Sequence, residues 1–128
     1  MKKRIDLPFD APLFEVEFPG KPVPQPRPRI TRQGGKYYPK QYNAVRQALV
    51  LTFKQAHKGP PLGCLMRLEV GLAGARANSD LSNHLKSIED ALVQAGVIAD
   101  DCVKYLGEVR AETIEGDPRT RVTLYRLS

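Results

Sequence analysis

The sequence has no tryptophan, two cysteines and two histidines. Cys64 and Cys102 stand far apart and in no CxxC or CxxH spacing, which excludes a disulfide framework and a zinc finger. A reducing cytoplasm is the expected location. No apolar run approaches the roughly 18 to 20 residues of a membrane span, and Met1-Lys2-Lys3-Arg4-Ile5-Asp6 is not followed by a signal-peptide apolar stretch. Length excludes a multidomain enzyme: 128 residues make one domain, able to bury roughly 65 to 70% of the surface its unfolded chain exposes. With 41% hydrophobic and 27% charged residues, the composition is that of a folded globular protein and not of a disordered tail.

Acid is missing from a long stretch: none occurs between Glu17 and Glu69, while Lys21, Arg27, Arg29, Arg32, Lys36, Lys40, Arg46, Lys54, Lys58 and Arg67 fall inside it. Residues 1–60 carry 12 basic and 4 acidic side chains, and residues 61–128 carry 8 and 10. Like charges repel, so solvated surfaces usually mix signs. A one-sign half is the electrostatic footprint of a surface built for a polyanion.

Phe14-Glu15-Val16-Glu17-Phe18 alternates as a half-buried strand and ends at Pro19-Gly20. Four prolines in Lys21 to Arg29 forbid a helix, which makes residues 21–39 an extended basic arm carrying Arg27 and Arg29. A helix is predicted from Lys40 to His57, with Ala44, Ala48, Leu51 and Gln55 on one side and Val45, Leu49 and Phe53 nearby; Gly59-Pro60-Pro61 stops it. Leu65 to Ala73 reads as a central strand. A second helix, Leu81 to Ala95, has Asp80 as N-cap and Gly96 past its end. Two strands close the chain, near Val103 to Glu112 and Arg119 to Leu127, joined by a hairpin through Glu115-Gly116-Asp117-Pro118. The prediction is one α+β domain over residues 1–128, with a mixed sheet, two main helices and a flexible segment at residues 1–13.

At 100° per residue, Leu81, Leu85, Ile88, Leu92 and Ala95 form one apolar stripe of the second helix, and Asn83, Lys86 and Asp90 share the opposite, exposed face. An i,i+4 pair between Lys86 and Asp90 would by itself be ordinary surface chemistry. Asp80 at the helix start and Asp100-Asp101 beyond its end give the pattern more meaning, since these carboxylates are expected to converge at one end of the sheet. Hard oxygen ligands without clustered His or Cys suit Mg²⁺, or Mn²⁺ in its place. An acidic pocket in a basic protein suits a phosphodiester: cations hold the backbone, and a metal activates water against it.

Asp80-Leu81-Ser82-Asn83, Lys86, Asp90-Ala91-Leu92, Gly96-Val97-Ile98 and Asp100-Asp101-Cys102-Val103 together resemble the core pattern of the RusA-type Holliday junction resolvases. Pro22 to Arg29 and Tyr38-Pro39-Lys40 resemble that family's amino-terminal part. The resemblance implies a homodimeric, Mg²⁺-dependent endodeoxyribonuclease, of bacterial or prophage origin, that binds four-way DNA junctions and makes paired nicks in recombination and repair. It implies that Asp80, Lys86 and Asp101 are catalytic, that Asp80, Asp100 and Asp101 hold the metal, and that Asn83 and Asp90, with Ser82 beside them, orient these groups; the basic stretch makes Arg27, Arg29, Arg32, Lys36 and Lys40 the expected DNA-binding residues. Ser82 departs from the pattern, standing where the best-known members carry a second aspartate. That departure keeps open a junction-binding module of the same fold with weakened or lost turnover, and charge alone would also permit an RNA-binding component. The acids around one helix argue for the nuclease.

His57 and His84 are isolated, and the cysteines read as small buried hydrophobes. Tyr37 and Tyr38, between Lys36 and Lys40, either stack on exposed bases or staple the arm to the sheet.

Overall fold

The computed structural model describes residues 11–26 and 29–127. Its elements are β1 (Phe14–Pro19), β2 (Arg29–Ile30), β3 (Lys36–Tyr37), α1 (Lys40–Ala56), β4 (Met66–Ala73), α2 (Leu81–Gln94), β5 (Leu106–Thr113) and β6 (Arg119–Arg126). Both helices pack on one face of a mixed four-stranded sheet of order β1-β6-β4-β5, and β2 and β3 form a separate two-stranded ribbon. The α+β expectation holds. Leu13, placed by the sequence in the N-terminal segment, already donates its N–H to the Leu124 carbonyl (2.8 Å) and packs against the core.

β4 is central: Met66, Leu68, Val70 and Leu72 lie under the helices, Arg67, Glu69, Gly71 and Ala73 line the other face, and seven of its eight residues are buried. It pairs with β6 antiparallel and with β5 parallel. The last two strands are therefore not the expected hairpin, since β4 lies between them. Their connection crosses the end of β4, where Ile114 N–H donates to the Leu72 carbonyl (3.0 Å). Pro118 closes over Gly74, whose φ of +79° and lack of a Cβ permit this approach. Two hydrophobic strands that compete for the same partner are resolved by burial, and the most apolar one takes the middle.

Parallel pairing of β4 with β5 requires a crossover, and α2 supplies it. Asp80 caps α2 as predicted, and Gly96 at φ +79° turns the chain while Val97 N–H bonds the Leu92 carbonyl (3.0 Å). The buried side of α2 is His84, Ser87, Ile88, Ala91 and Leu92, with Leu81 exposed. This stripe is turned by roughly 50° from the expected one, because α2 packs against α1 as well as the sheet: Tyr42 Oη donates to Ser87 Oγ at 3.2 Å between them. α1 is likewise turned. It buries Tyr42, Leu49, Val50 and Phe53 and exposes Ala44, Ala48, Leu51 and Gln55, since covering the bulkier set removes more apolar area from water. Phe53 meets Phe14 edge-on with centroids 5.8 Å apart.

The other sheet face mixes its charges in ion pairs: Arg67–Glu69, Arg110–Glu108, Arg119–Glu17 and Arg121–Glu112, at 2.6, 3.1, 3.1 and 3.7 Å. The Arg67 guanidinium also lies over the Tyr125 ring, 4.8 Å from its centroid. Among the described residues, no ion pair of this kind involves a cation of the arm or of α1.

The orientation of α1 makes an expected outcome: Phe53→Ala, at 0% exposure, should cost about 3 to 5 kcal/mol in a denaturant titration. Leu51→Ala, at 56% exposure, should stay within about 0.5 kcal/mol of wild type.

Candidate nucleic-acid and nuclease site

After β1 the prolines hold residues 21–26 extended, as their fixed φ requires. Pro22 is buried, and this stretch wedges among Phe18, Val45, Leu49, Leu72 and Ile88, leaving only ≈ 10 Å³ of space there. Gln25 then straps the arm down. Its N–H donates to the Asn83 carbonyl (3.1 Å), and its Nε2 donates to Tyr38 Oη (2.7 Å). Tyr38 rests against Tyr42 with ring centroids 5.3 Å apart. Of the two tyrosines, Tyr38 is the staple; Tyr37 stays 48% exposed.

Beyond the strap, β2 and β3 form a ribbon closed by Thr31, whose N–H bonds the Gly35 carbonyl (2.7 Å) and whose Oγ1 accepts from Gly35 N–H (3.0 Å). Ile30, Arg32, Lys36, Tyr37 and Lys40 are exposed on the ribbon and the start of α1. Arg27 lies outside the described residues, and Arg29 enters β2 opposite Tyr37. The strap thus brings the basic ribbon to the end of the molecule where α2 begins.

Asp80 sits at that end. Its Oδ1 accepts from Ser82 N–H (2.9 Å) and Ser82 Oγ–H (2.7 Å). These two bonds, aided by His84 and by Asn83 N–H, hold the Asp80 carboxyl below its ordinary pKa. The exposed carboxylate is ionised and aimed by the first turn of α2. Ser82, where the sequence leaves the resolvase pattern, orients this acid. Behind it, the Ser79 hydroxyl donates to the Arg76 carbonyl (2.7 Å) and accepts from His84 Nε2–H (2.9 Å), which ties the loop carrying Asp80 to a buried imidazole. Burial pushes the His84 pKa down, against the pull of Asp80.

Asn83 and Lys86 are exposed on the outer face of α2, and Lys86 Nζ lies 3.9 Å from Asp90 Oδ1. Asp100 accepts from Asp101 N–H (2.8 Å) in the turn after α2. Near that end, Glu89 is half-buried and its pKa is raised, first by burial and then by the charges of Asp101 and Asp90, with Lys86 opposing. The expected convergence at one end of the sheet does not occur within one chain. Asp80 follows the C-terminal end of β4, whereas Asp100 and Asp101 precede the N-terminal end of the parallel β5. A 14-residue helix lies between them, about 20 Å at 1.5 Å per residue. Among the described residues of one chain, no three His, Cys, Asp or Glu side chains come close enough to share an ion, so Asp80, Asp100 and Asp101 do not by themselves form the three-ligand site the resemblance implies.

A basic ribbon beside an ionised, oriented aspartate is what a phosphodiester-cleaving surface requires. A family model described as Endodeoxyribonuclease RusA matches residues 19–125. The chain belongs to this family. No curated protein matches it. The RusA family comprises endodeoxyribonucleases that act on branched junction DNA, and such nucleases are in general metal-dependent. Among the described residues, no helix of this RusA member is long and apolar enough to cross a membrane.

Several residues at the site carry no motif signal. Gln25 and Tyr38 join through a contact across 13 residues, and His84 acquires its role from burial. Only the helical period hinted at His84, by placing it at the stripe's edge. Cys102, read as a buried hydrophobe, is exposed in the turn after Asp101, while Cys64 is half-buried. His57 bonds the Pro60 carbonyl through Nε2 (2.7 Å) at the end of α1.

The depressed pKa of His84 sets a pH dependence. The native state binds this proton less readily than the unfolded chain, so stability is full above about pH 6.5, the ordinary imidazole value, and falls as acid charges the unfolded state first. In denaturant titrations between pH 7.5 and 5.5, wild type should lose more stability than His84→Gln. Equal losses would mean that burial does not shift this imidazole.

Proposed function

We propose that this protein is a Mg²⁺-dependent Holliday junction resolvase, with Mn²⁺ as a substitute, that nicks four-way DNA junctions in recombination and repair. The observation that carries the reading is the strapping of the basic ribbon to the helix turn that presents Asp80, in a chain of the RusA family. Arg29, Arg32, Lys36 and Lys40, with Arg27 outside the described residues, supply cations to phosphates; such contacts position DNA without reading its sequence. Asp80, Asp100 and Asp101 are the carboxylates assigned to the metal, which would polarise the scissile phosphate and activate water when bound. Asn83 and Asp90 flank Lys86 on the exposed face. There the ammonium is placed to stabilise charge developing on the phosphate. The setting is a bacterial or prophage-encoded protein working in the cytoplasm.

The separation of Asp80 from Asp101 supports the homodimer. If one metal site needs both, two chains must supply them, Asp80 from one protomer and Asp101 from its partner, and a two-fold axis then makes two equal sites for paired nicks. The ionised, exposed state of Asp80 supports this reading, as does half-buried Glu89, whose pKa is raised first by burial and then by the charge of nearby Asp101.

A labelled four-way junction tests it. Wild type should bind in EDTA and cut on addition of Mg²⁺, with affinity falling steeply in salt; Arg32→Ala with Lys36→Ala should flatten the slope of log K by about one to two. Asp80→Asn and Asp101→Asn should each bind without cutting, and a mixture of the two should regain single nicks, because a mixed dimer holds one intact pair. No recovery would place both acids in the site of one protomer. Binding without any cutting by wild type would instead favour a junction-binding module.

Lys86→Ala should slow cleavage by about 10² or more, as the loss of one oriented charge does elsewhere, with unfolding unchanged because the side chain is exposed. Single-turnover rates on the same junction measure it.

A further inference from the structure

An open groove of ≈ 590 Å³ lies between the ribbon and the first turn of α1, lined by Tyr37, Pro39, Lys40, Gln41 and Ala44. Its walls are unlike those of a surface that only holds phosphates. Tyr37 offers a half-exposed aromatic face, Pro39 and the small Ala44 give apolar walls, and Gln41 brings an amide able to donate and accept. Lys40 adds a cation to its lining, and no acid occurs anywhere from residue 18 to residue 68. The groove is also held in place: Tyr38, next to Tyr37, is fixed by Gln25 and Tyr42, and Gln25 is bound to Asn83 of α2. A lone exposed tyrosine is ordinary. An exposed tyrosine on a strapped ribbon, facing a groove with an amide and a cation, has the groups a stacking platform requires.

We propose that this groove takes one unpaired nucleobase, stacked on Tyr37 with its backbone held by Lys40. A base inside a duplex is stacked on both sides and cannot reach a platform on the protein. At a branch point or bulge the cost of unstacking is smallest, so the groove favours branched or distorted DNA over plain duplex. The inference rests on the DNA-nuclease reading and adds to it the residue that selects structure, distinct from the cations that bind any phosphate backbone.

The test is binding in EDTA at one salt concentration to two probes, a 21-base-pair duplex and the same duplex with a single extrahelical thymine. Wild type should prefer the bulged probe. Tyr37→Ala should erase that preference, a loss of about tenfold on the bulged probe, while duplex affinity stays within about twofold. Tyr37→Phe should keep it, because the ring remains. Ala44→Leu, which fills the groove from an exposed helix position with a good helix former, should erase it with Tyr37 still present. Equal binding of both probes by wild type, or a preference that survives both Tyr37→Ala and Ala44→Leu, would overturn the base site while leaving the nuclease reading intact. Failure of wild type to bind either probe would overturn both.

Discussion

The parallel pairing of β4 with β5 is the constraint on which the rest of this structure depends. Two parallel neighbours cannot be joined by a tight turn, so the chain must travel back along the sheet, and α2 is that return. The crossover places the capped start of α2 at one end of the sheet and the Asp100-Asp101 turn at the other. It also leaves one sheet edge of β4 free for β6, which enters antiparallel and pushes the connection from β5 over Gly74. The geometry of the acids follows from strand pairing and not from any contact among the acids themselves.

Charge is organised by the same layering. On the open sheet face, arginine and glutamate alternate across strands and satisfy one another, each pair contributing little to stability where solvent screens it. Among the described residues, no ion pair of this kind forms on the ribbon or α1, and α1 contains no acid at all. Under the proposed function, the end where the ribbon, the start of α1 and the start of α2 come together is the one that meets the DNA backbone. Asp80 is the exception in sign there, ionised because Ser82 satisfies it with two hydrogen bonds. Under the proposed function, this carboxylate is one of the groups that would hold a hard cation.

Neutral groups hold this end together. Pro22 is buried as a wedge, Gln25 bridges α2 to Tyr38, and the His84–Ser79–Arg76 chain fixes the loop before Asp80. Placing uncharged residues in these positions has a physical logic, because buried charges beside an anionic ligand would have to be desolvated and would compete for it. The arm is basic in its exposed part and neutral in its buried part.

Local rules made much of this legible. Proline geometry excluded a helix from the arm, alternation marked β1 and β4, and Asp80 and Gly96 bounded α2 because capping is a short-range hydrogen-bonding problem. The missing acids between Glu17 and Glu69 marked the basic half, and the Asp80-to-Val103 pattern pointed to the family. What the sequence could not decide were choices made by competition between distant segments. Period alone put Leu81 in the buried stripe of α2 and Ala48 beside the core of α1, but each helix packs on two surfaces at once and rotates towards its bulkier side chains. The expected hairpin at residue 115 satisfied local turn chemistry, yet β4, with seven of its eight residues buried, took the place between the last two strands. Burial of the most apolar strand outweighs the convenience of a short turn there, while the acids stand at opposite ends of the sheet because the parallel pairing of β4 with β5 lays α2 back along it.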